Sequence, residues 1–130
     1  MAKEQRQKSK VFYVLLQKID KMTPLFETLV FGPIRSRRLG KSLGINLMPE
    51  VGKICSFDCI YCECGWNPDN KANSGIPSKD AFEMTLEKRL QELAGTSDEP
   101  DSITFSGNGE PTLHPDFTEI IDITIRLRDR

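Results

Sequence analysis

The clearest candidates for chemistry are four cysteines that lie within ten residues of one another, in the stretch CSFDCIYCEC. Three of them, Cys55, Cys59 and Cys62, follow a C-x3-C-x2-C spacing, and Cys64 comes two residues later. Disulfides that stabilise a small fold usually close longer loops, and no secretory signal peptide is predicted. The clustering therefore indicates metal or cluster ligation, or redox chemistry.

The spacing limits what these thiolates can bind. Structural zinc needs four tetrahedral ligands, commonly from two separated pairs, and ferredoxin-type [4Fe–4S] clusters take four cysteines at other spacings. Three thiolates on a four-iron cluster would leave the fourth iron open to an exogenous ligand. A zinc site that uses Cys64 as its fourth ligand, or a set of free thiols, is the alternative on these residues alone.

A second candidate is the turn SGNGEP, which follows a strand predicted over residues 101–106. Gly107 and Gly109 let the backbone bend sharply and approach a ligand without a Cβ clash. Glu110 adds a carboxylate, which together with backbone carbonyls suits a bound cation. An ordinary strand-to-helix turn with a solvated glutamate is the alternative.

Two predicted strands precede the cysteine loop. The run TLVF over residues 28–31 predicts a short strand that Gly32-Pro33 closes, and residues 43–48 predict a second strand. The cysteine loop follows this second strand closely. Both candidate sites therefore come after the C-terminal end of a strand, which is where parallel α/β sheets and barrels bind ligands.

The other predicted elements are helices. After a loop over residues 63–77, Ser78 predicts the N-cap of a helix over residues 79–94. The buried stripe of this helix is expected to consist of Phe82, Leu86, Leu90 and Leu93. The last segment is ambiguous, because its isoleucines alternate with polar residues as in a strand. We predict a helix that starts near Asp116, since a parallel sheet needs a crossover there.

With these motifs in order, the chain resembles the radical S-adenosylmethionine (SAM) superfamily. The C-x3-C-x2-C loop, with Tyr61 just before its last cysteine, is similar to the cluster loop of that superfamily. The turn GNGEP resembles its Gly-Gly-Glu motif, with Asn108 at the first glycine position. The phrases FGPIRSRRLGKSLGINL and CSFDCIYCECGW are also similar to a branch related to the enzymes that build the tricyclic wyosine base of tRNA.

The resemblance implies that Cys55, Cys59 and Cys62 bind three irons of a [4Fe–4S] cluster and that SAM chelates the fourth. Cys64 is then expected to stay outside the ligand set. The implied reaction passes one electron to the SAM sulfonium, giving methionine and a 5′-deoxyadenosyl radical that abstracts hydrogen from a substrate. An electron donor such as flavodoxin or ferredoxin is the implied partner. A tRNA base, a protein glycine and a small metabolite are all open as substrates.

The same resemblance implies the residues that bind SAM. They are Tyr61, Gly107, Asn108, Gly109 and Glu110. The turn is expected to meet the methionine ammonium group through backbone oxygens and the Glu110 carboxylate, and Tyr61 is expected to face the adenine.

Other polar residues are interpreted as structural. His114, the only histidine, is expected to make local hydrogen bonds, although histidine is also a common catalytic acid or base. Arg35, Arg37 and Arg38 are expected to be solvated or salt-bridged, with binding of phosphate or RNA backbone as the alternative.

Length and composition fit one α/β domain, with 38% hydrophobic residues, 28% charged residues and a net charge of −1. This balance gives no overall electrostatic reason to expect nucleic acid. No apolar run approaches the length of about 20 residues that spans a membrane. A cytoplasmic protein without membrane contact is expected.

The resemblance also implies a fold, the N-terminal portion of a partial (β/α)6 TIM-like barrel. A barrel unit takes about 30 residues, so residues 28–130 hold about two units. Residues 1–27 would be an N-terminal extension, with an amphipathic helix predicted over residues 11–22. We therefore expect the N-terminal part of a longer enzyme, inactive by itself. The rival hypothesis is a non-catalytic iron–sulfur or zinc-binding module.

Overall fold

The structure is a computed structural model of the chain, and it describes residues 25–67 and 75–130. In this part of the chain, a three-stranded sheet packs against two α-helices. The elements in chain order are β1 (Val30–Ser36), β2 (Gly40–Ile45), α1 (Lys79–Leu93), β3 (Ser102–Phe105), a 3-10 helix (Pro111–Leu113) and α2 (Phe117–Arg128). The helix predicted over residues 11–22 lies outside the described residues.

The sheet has the order β1-β2-β3, with β2 in the centre. β2 and β3 are parallel, with a register that runs from Ser42 opposite Ser102 to Ile45 opposite Phe105. β1 and β2 are antiparallel neighbours joined by a hairpin. The predicted parallel pair with a helical crossover is confirmed, whereas the sequence did not predict the antiparallel partner of β2.

The prediction that Gly32-Pro33 closes the first strand is wrong. β1 continues past this pair to Ser36, because the ladder with β2 is interrupted between Phe31 and Ile34 and then resumes. Gly32 has a φ of +89°, which a glycine adopts without steric strain. A local irregularity thus bends the strand without ending it.

β2 begins and ends three residues earlier than predicted, over Gly40–Ile45. The residues after it stay buried although they leave the ladder. The Asn46 N–H donates to the Leu29 carbonyl at 2.8 Å, and the Met48 N–H donates to Asn46 Oδ1 at 3.2 Å. Backbone groups in this buried exit are therefore satisfied without a strand partner.

Both helix predictions are confirmed. Ser78 caps α1, with its Oγ accepting from the Ala81 N–H at 3.2 Å, as expected for an N-cap serine. In α2 the buried positions are Ile120, Thr124 and Leu127, a helical spacing that overrides the strand-like alternation.

The core lies between β2 and the helices. Leu43 and Ile45 of β2, Phe82 of α1 and Ile120 of α2 are all fully buried, and burying such a side chain stabilises by about 1.5–3 kcal/mol. On the opposite face of the sheet, the ring of Phe31 lies over Gly44, where an added Cβ would be 2.1 Å from it. No helix in the described part of the chain is long and apolar enough to cross a membrane.

Candidate metal and cofactor site

The site lies at the edge of the sheet where the parallel strands β2 and β3 end. The cysteine loop follows β2, and the glycine turn follows β3. Since the two strands are adjacent and parallel, their C-terminal ends meet at one edge. The predicted proximity of the two motifs is therefore a direct result of the sheet topology.

A backbone pairing joins the two motifs. Ile54, the residue before Cys55, forms a parallel bridge with Gly109. The Ile54 N–H donates to the Asn108 carbonyl at 3.1 Å, and the Glu110 N–H donates to the Ile54 carbonyl at 3.0 Å. The first cysteine thus leaves directly from a fixed contact with the glycine turn.

This contact explains why position 109 is a glycine. A Cβ on Gly109 would lie 1.9 Å from the Ile54 carbonyl oxygen, far inside any normal contact distance. The residue also has a φ of +134°, which favours glycine. Both the close approach and the conformation require the absence of a side chain.

Asn108 has a fully buried side chain that faces the protein interior. Its Nδ2 donates to the carbonyls of Phe26 and Pro49, each at 2.8 Å, and its Oδ1 accepts from the Phe26 N–H at 2.8 Å. Its own N–H donates to Asn46 Oδ1 at 3.0 Å. The amide therefore fastens the turn to the exit of β2 and to the segment before β1, and a cofactor contact at this position is left to the backbone.

Gly107 lies between the two polar side chains of the site interior. A Cβ here would be 2.3 Å from Asn46 Oδ1. Its carbonyl accepts from the Cys64 thiol at 3.2 Å, which makes a second link between the cysteine loop and the turn. Burial and the neighbouring Cys62 raise the pKa of the Cys64 thiol. Because the thiolate is the metal-binding form of cysteine, this arrangement agrees with the expected structural role of Cys64.

The three predicted ligands are free thiols on one loop. Cys55 and Cys62 are half-buried and Cys59 is exposed. The Phe57 N–H donates to Cys55 Sγ at 3.4 Å, and the Cys62 N–H donates to the Cys59 carbonyl at 3.0 Å. The accessible thiols and the backbone donor at Cys55 fit a cluster held at the mouth of the site.

Within residues 25–67 and 75–130, no three cysteine, histidine or acidic side chains converge around one point as a ready site for a metal ion. Such a site needs all donors at about 2.0–2.3 Å from one atom. An iron–sulfur cluster differs, because each thiolate binds a separate iron. The donor types and their spacing fit the cluster without convergence on a single ion.

Tyr61 is 83% exposed beside the thiols, between two other exposed apolar side chains on the loop, Phe57 and Ile60. A hydrogen bond with the Cys59 side chain, together with the thiolate charges of the loop, raises the pKa of the Tyr61 phenol. Exposed apolar groups around potential ligands indicate a surface that a bound molecule would cover.

Glu110 caps the 3-10 helix that follows the turn. Its Oε1 accepts from the Thr112 N–H at 3.1 Å and from the Thr112 hydroxyl at 2.8 Å. Both bonds go to the same oxygen, so a cation would meet Oε2. The carboxylate is thus held in place beside Gly109 without being neutralised by an ion pair.

His114 is buried and joins the entries of the two helices. Its Nδ1 accepts from the Asp116 N–H at 3.0 Å, so the proton is on Nε2, which donates to the Pro77 carbonyl at 2.7 Å. The expected role in local hydrogen bonding is confirmed.

The arginine cluster lies far from the thiols. Arg35 is in β1, and Arg37 and Arg38 are in the hairpin turn that precedes β2; all three are exposed. The cysteine loop follows the other end of β2, and a six-residue strand spans about 20 Å. These arginines are solvent-facing and do not contribute to the candidate site.

One residue of the site was missed by the sequence reasoning. Lys53 is fully buried under the cysteine loop. Its Nζ donates to the Gly65 carbonyl at 2.6 Å and lies 3.4 Å from Asp58 Oδ1 and 3.6 Å from Cys62 Sγ. Burial lowers the pKa of Lys53, but Cys62 and Asp58 together raise it above its usual value. The available signal was its isolation, since no other lysine or arginine occurs from residue 42 to residue 70.

The fold and the site define an α/β protein with a three-thiol loop at the carboxyl edge of its parallel strands, the edge at which such proteins bind ligands. Residues 50–130 match the family model described as Radical SAM superfamily. The chain belongs to the radical SAM superfamily.

Curated relatives are similar to most of this chain but are much longer. A UPF0026 protein of Helicobacter pylori strain J99 is 39% identical over 93 residues, which are 72% of this chain and 29% of that protein. A UPF0026 protein of Methanocaldococcus jannaschii is 39% identical over 104 residues, 78% of this chain and 30% of that protein.

A protein of Brachyspira hyodysenteriae named GTPase Obg is 42% identical over 92 residues, 71% of this chain and 13% of that protein. This chain thus spans less than a third of the length of each of these three relatives. No solved structure matches it.

Proposed function

We propose that this chain is the cluster-binding segment of a radical SAM oxidoreductase, with Cys55, Cys59 and Cys62 as ligands to three irons of a [4Fe–4S] cluster. The main support is the pairing of Ile54 with Gly109, which holds the first cysteine against the glycine turn. Superfamily membership, which generally implies SAM-cleaving radical chemistry, supports it independently.

SAM would bind between the thiol loop and the turn. Glu110 and the backbone around Gly107 and Gly109 would bind its ammonium group, and Tyr61 would face its adenine. When bound, the cluster supplies one electron to the sulfonium, which breaks a C–S bond to give methionine and a 5′-deoxyadenosyl radical. The chain's own residues orient the cofactor and help to exclude water.

The larger context is part of the proposal. Residues 28–130 would be the first two units of a partial (β/α)6 barrel, after an extension over residues 1–27. The parallel β2–β3 pair with its helical crossover supports this arrangement. Since this chain covers under a third of those relatives, substrate turnover is proposed for a longer polypeptide and not for these 130 residues.

The substrate class proposed first is a tRNA base, on the resemblance of FGPIRSRRLGKSLGINL and CSFDCIYCECGW to the wyosine-related branch. The electron donor would be a flavodoxin or a ferredoxin in the cytoplasm.

Anaerobic reconstitution with iron and sulfide tests the cluster assignment. We expect a brown species with about four irons per chain and absorbance near 400 nm, lost in Cys62→Ala because one of three thiolates is gone. Cys64→Ala is the matched control, and it should keep the cluster, since Cys64 bonds to the Gly107 carbonyl. Added SAM should change the spectrum of the wild type.

A colourless protein that binds one zinc ion, and loses it in Cys64→Ala, would contradict the radical SAM assignment for this chain. It would instead support the zinc-binding module. An iron–sulfur cluster that depends equally on Cys62 and Cys64 would contradict the three-thiolate ligand set, because no iron would then be open to SAM.

A further inference from the structure

A buried cation directly beneath the thiol loop has no role in the proposed ligand set. We infer that Lys53 is a positioning residue for the proposed cluster, which fixes the loop through Cys62 and Gly65 and raises the cluster's reduction potential. This inference rests on the proposed function, because it concerns the behaviour of a cluster bound to Cys62.

The contacts of Lys53 account for all of its donors. An ammonium group has three N–H donors, and three acceptors lie within reach: the Gly65 carbonyl, Asp58 Oδ1 and Cys62 Sγ. No side-chain nitrogen or oxygen buried in the described part of the chain lacks a partner. A lysine is almost never fully buried unless it is paired, so the loop is built around this charge.

Asp58 is the second member of the arrangement. It forms an ion pair with Lys53, and its Oδ1 also accepts from the Asn67 N–H at 2.8 Å. Asn67 in turn donates through Nδ2 to the Phe57 carbonyl at 3.1 Å. Lys53 and Asp58 therefore close the two ends of the thiol loop, and both are structural supports of it.

Their electrostatic effects on a cluster are opposite. The reduced cluster has one more negative charge than the oxidised cluster, so a nearby cation stabilises the reduced form and a nearby anion destabilises it. Net charge and hydrogen bonds to sulfur are among the factors that set cluster potentials. Lys53 is fully buried, where the effective dielectric constant is below that of water and the interaction is correspondingly stronger.

The opposite signs allow a test that a purely structural role would fail. In the reconstituted 130-residue chain, the midpoint potential of the cluster is measured by a redox titration followed by electron paramagnetic resonance, without SAM. Lys53→Met should shift the potential to a lower value, because the cation is removed. Asp58→Asn should shift it to a higher value, because the anion is removed while an acceptor for Asn67 is kept. Lys88→Met, a change at an exposed lysine of α1, should leave it unchanged.

Two further variants keep the result decisive. Lys53→Arg retains the positive charge and should hold the cluster at a potential closer to the wild type than Lys53→Met does. If Lys53→Met fails to hold a cluster, the sign of the Asp58→Asn shift decides: a higher potential supports the inference, and an unchanged or lower one overturns it.

The two proposals fail in different ways. A wild-type chain that binds no iron–sulfur cluster would overturn the proposed function and this inference with it. A wild-type cluster whose potential is the same in Lys53→Met and Asp58→Asn, or shifts in the same direction in both, would overturn the inference alone. Lys53 would then support the loop without tuning the cluster.

Discussion

At position 108 an asparagine occupies the first glycine position of the Gly-Gly-Glu motif, and its side chain has no exposed surface. Two of its hydrogen bonds go to Phe26 and one to Pro49, residues that are 82 and 59 positions away in the chain. A glycine would leave this space without an amide. The substitution therefore moves the function of the position from flexibility to fastening.

Replacing Asn108 should destabilise the protein strongly. We expect Asn108→Ala to lower the free energy of unfolding by about 2–5 kcal/mol, because the Phe26 N–H and the Pro49 carbonyl lose their partner and each buried unpaired group costs about 1–3 kcal/mol. Urea denaturation followed by circular dichroism measures the change. Asn108→Gly, which restores the motif, should be at least as destabilising; wild-type stability in that variant would refute the fastening role.

Gly109 should tolerate no side chain. In Gly109→Ala the new Cβ would overlap the Ile54 carbonyl oxygen, so we expect the thiol loop to separate from the turn and the reconstituted chain to lose most of its iron. The matched control is Gly95→Ala, where φ is +69° but nothing lies within 4 Å of the added atom. That control should lose about 1–2 kcal/mol of stability from its left-handed conformation and keep its iron. Equal iron content in both variants would argue against the Ile54–Gly109 contact as the basis of the site.

At the scale of elements, α2 shows how topology resolves an ambiguous pattern. Its sequence alternates isoleucines and polar residues as a strand would. A parallel neighbour for β2 requires a long crossover, and the same logic places a helix after β3. The helix buries Ile120 on the core side, while Ile125 is 44% exposed.

The two isoleucines should therefore differ when truncated. Ile120→Ala removes a fully buried side chain and is expected to cost about 2–5 kcal/mol of unfolding free energy. Ile125→Ala, the same chemical change on the partly exposed side of α2, is expected to cost less than about 1 kcal/mol. Thermal or urea unfolding compares them directly, and a larger loss at Ile125 would favour the strand interpretation.

β1 shows an element that depends on its neighbour. Gly32-Pro33 would end an isolated strand, but pairing with β2 resumes at Ile34 and carries the strand to Ser36. The hairpin places the exposed arginines of its turn at the opposite end of β2 from the thiols. The antiparallel strand thereby covers one edge of β2 and leaves β3 to cover the other.

At the scale of the whole molecule, the candidate site is assembled from three stretches that are far apart in the chain. The segment before β1 supplies Phe26, the exit of β2 supplies Asn46 and the thiol loop, and the turn after β3 supplies Asn108. The parallel pair of strands brings the last two together. Within the described residues β3 is the edge of the sheet, so further strands of a longer protein would add there.

The sequence by itself determined the features that depend on neighbours in the chain. The thiol spacing of Cys55, Cys59 and Cys62, the cap at Ser78 and the order of strands and helices are local patterns, and they sufficed to predict the superfamily and the parallel pair. Only the tertiary structure decided the inward direction of Asn108, the contact that requires Gly109 and the burial of Lys53. These depend on packing between distant segments, because burial and hydrogen-bond partners are properties of the folded chain and not of its local sequence.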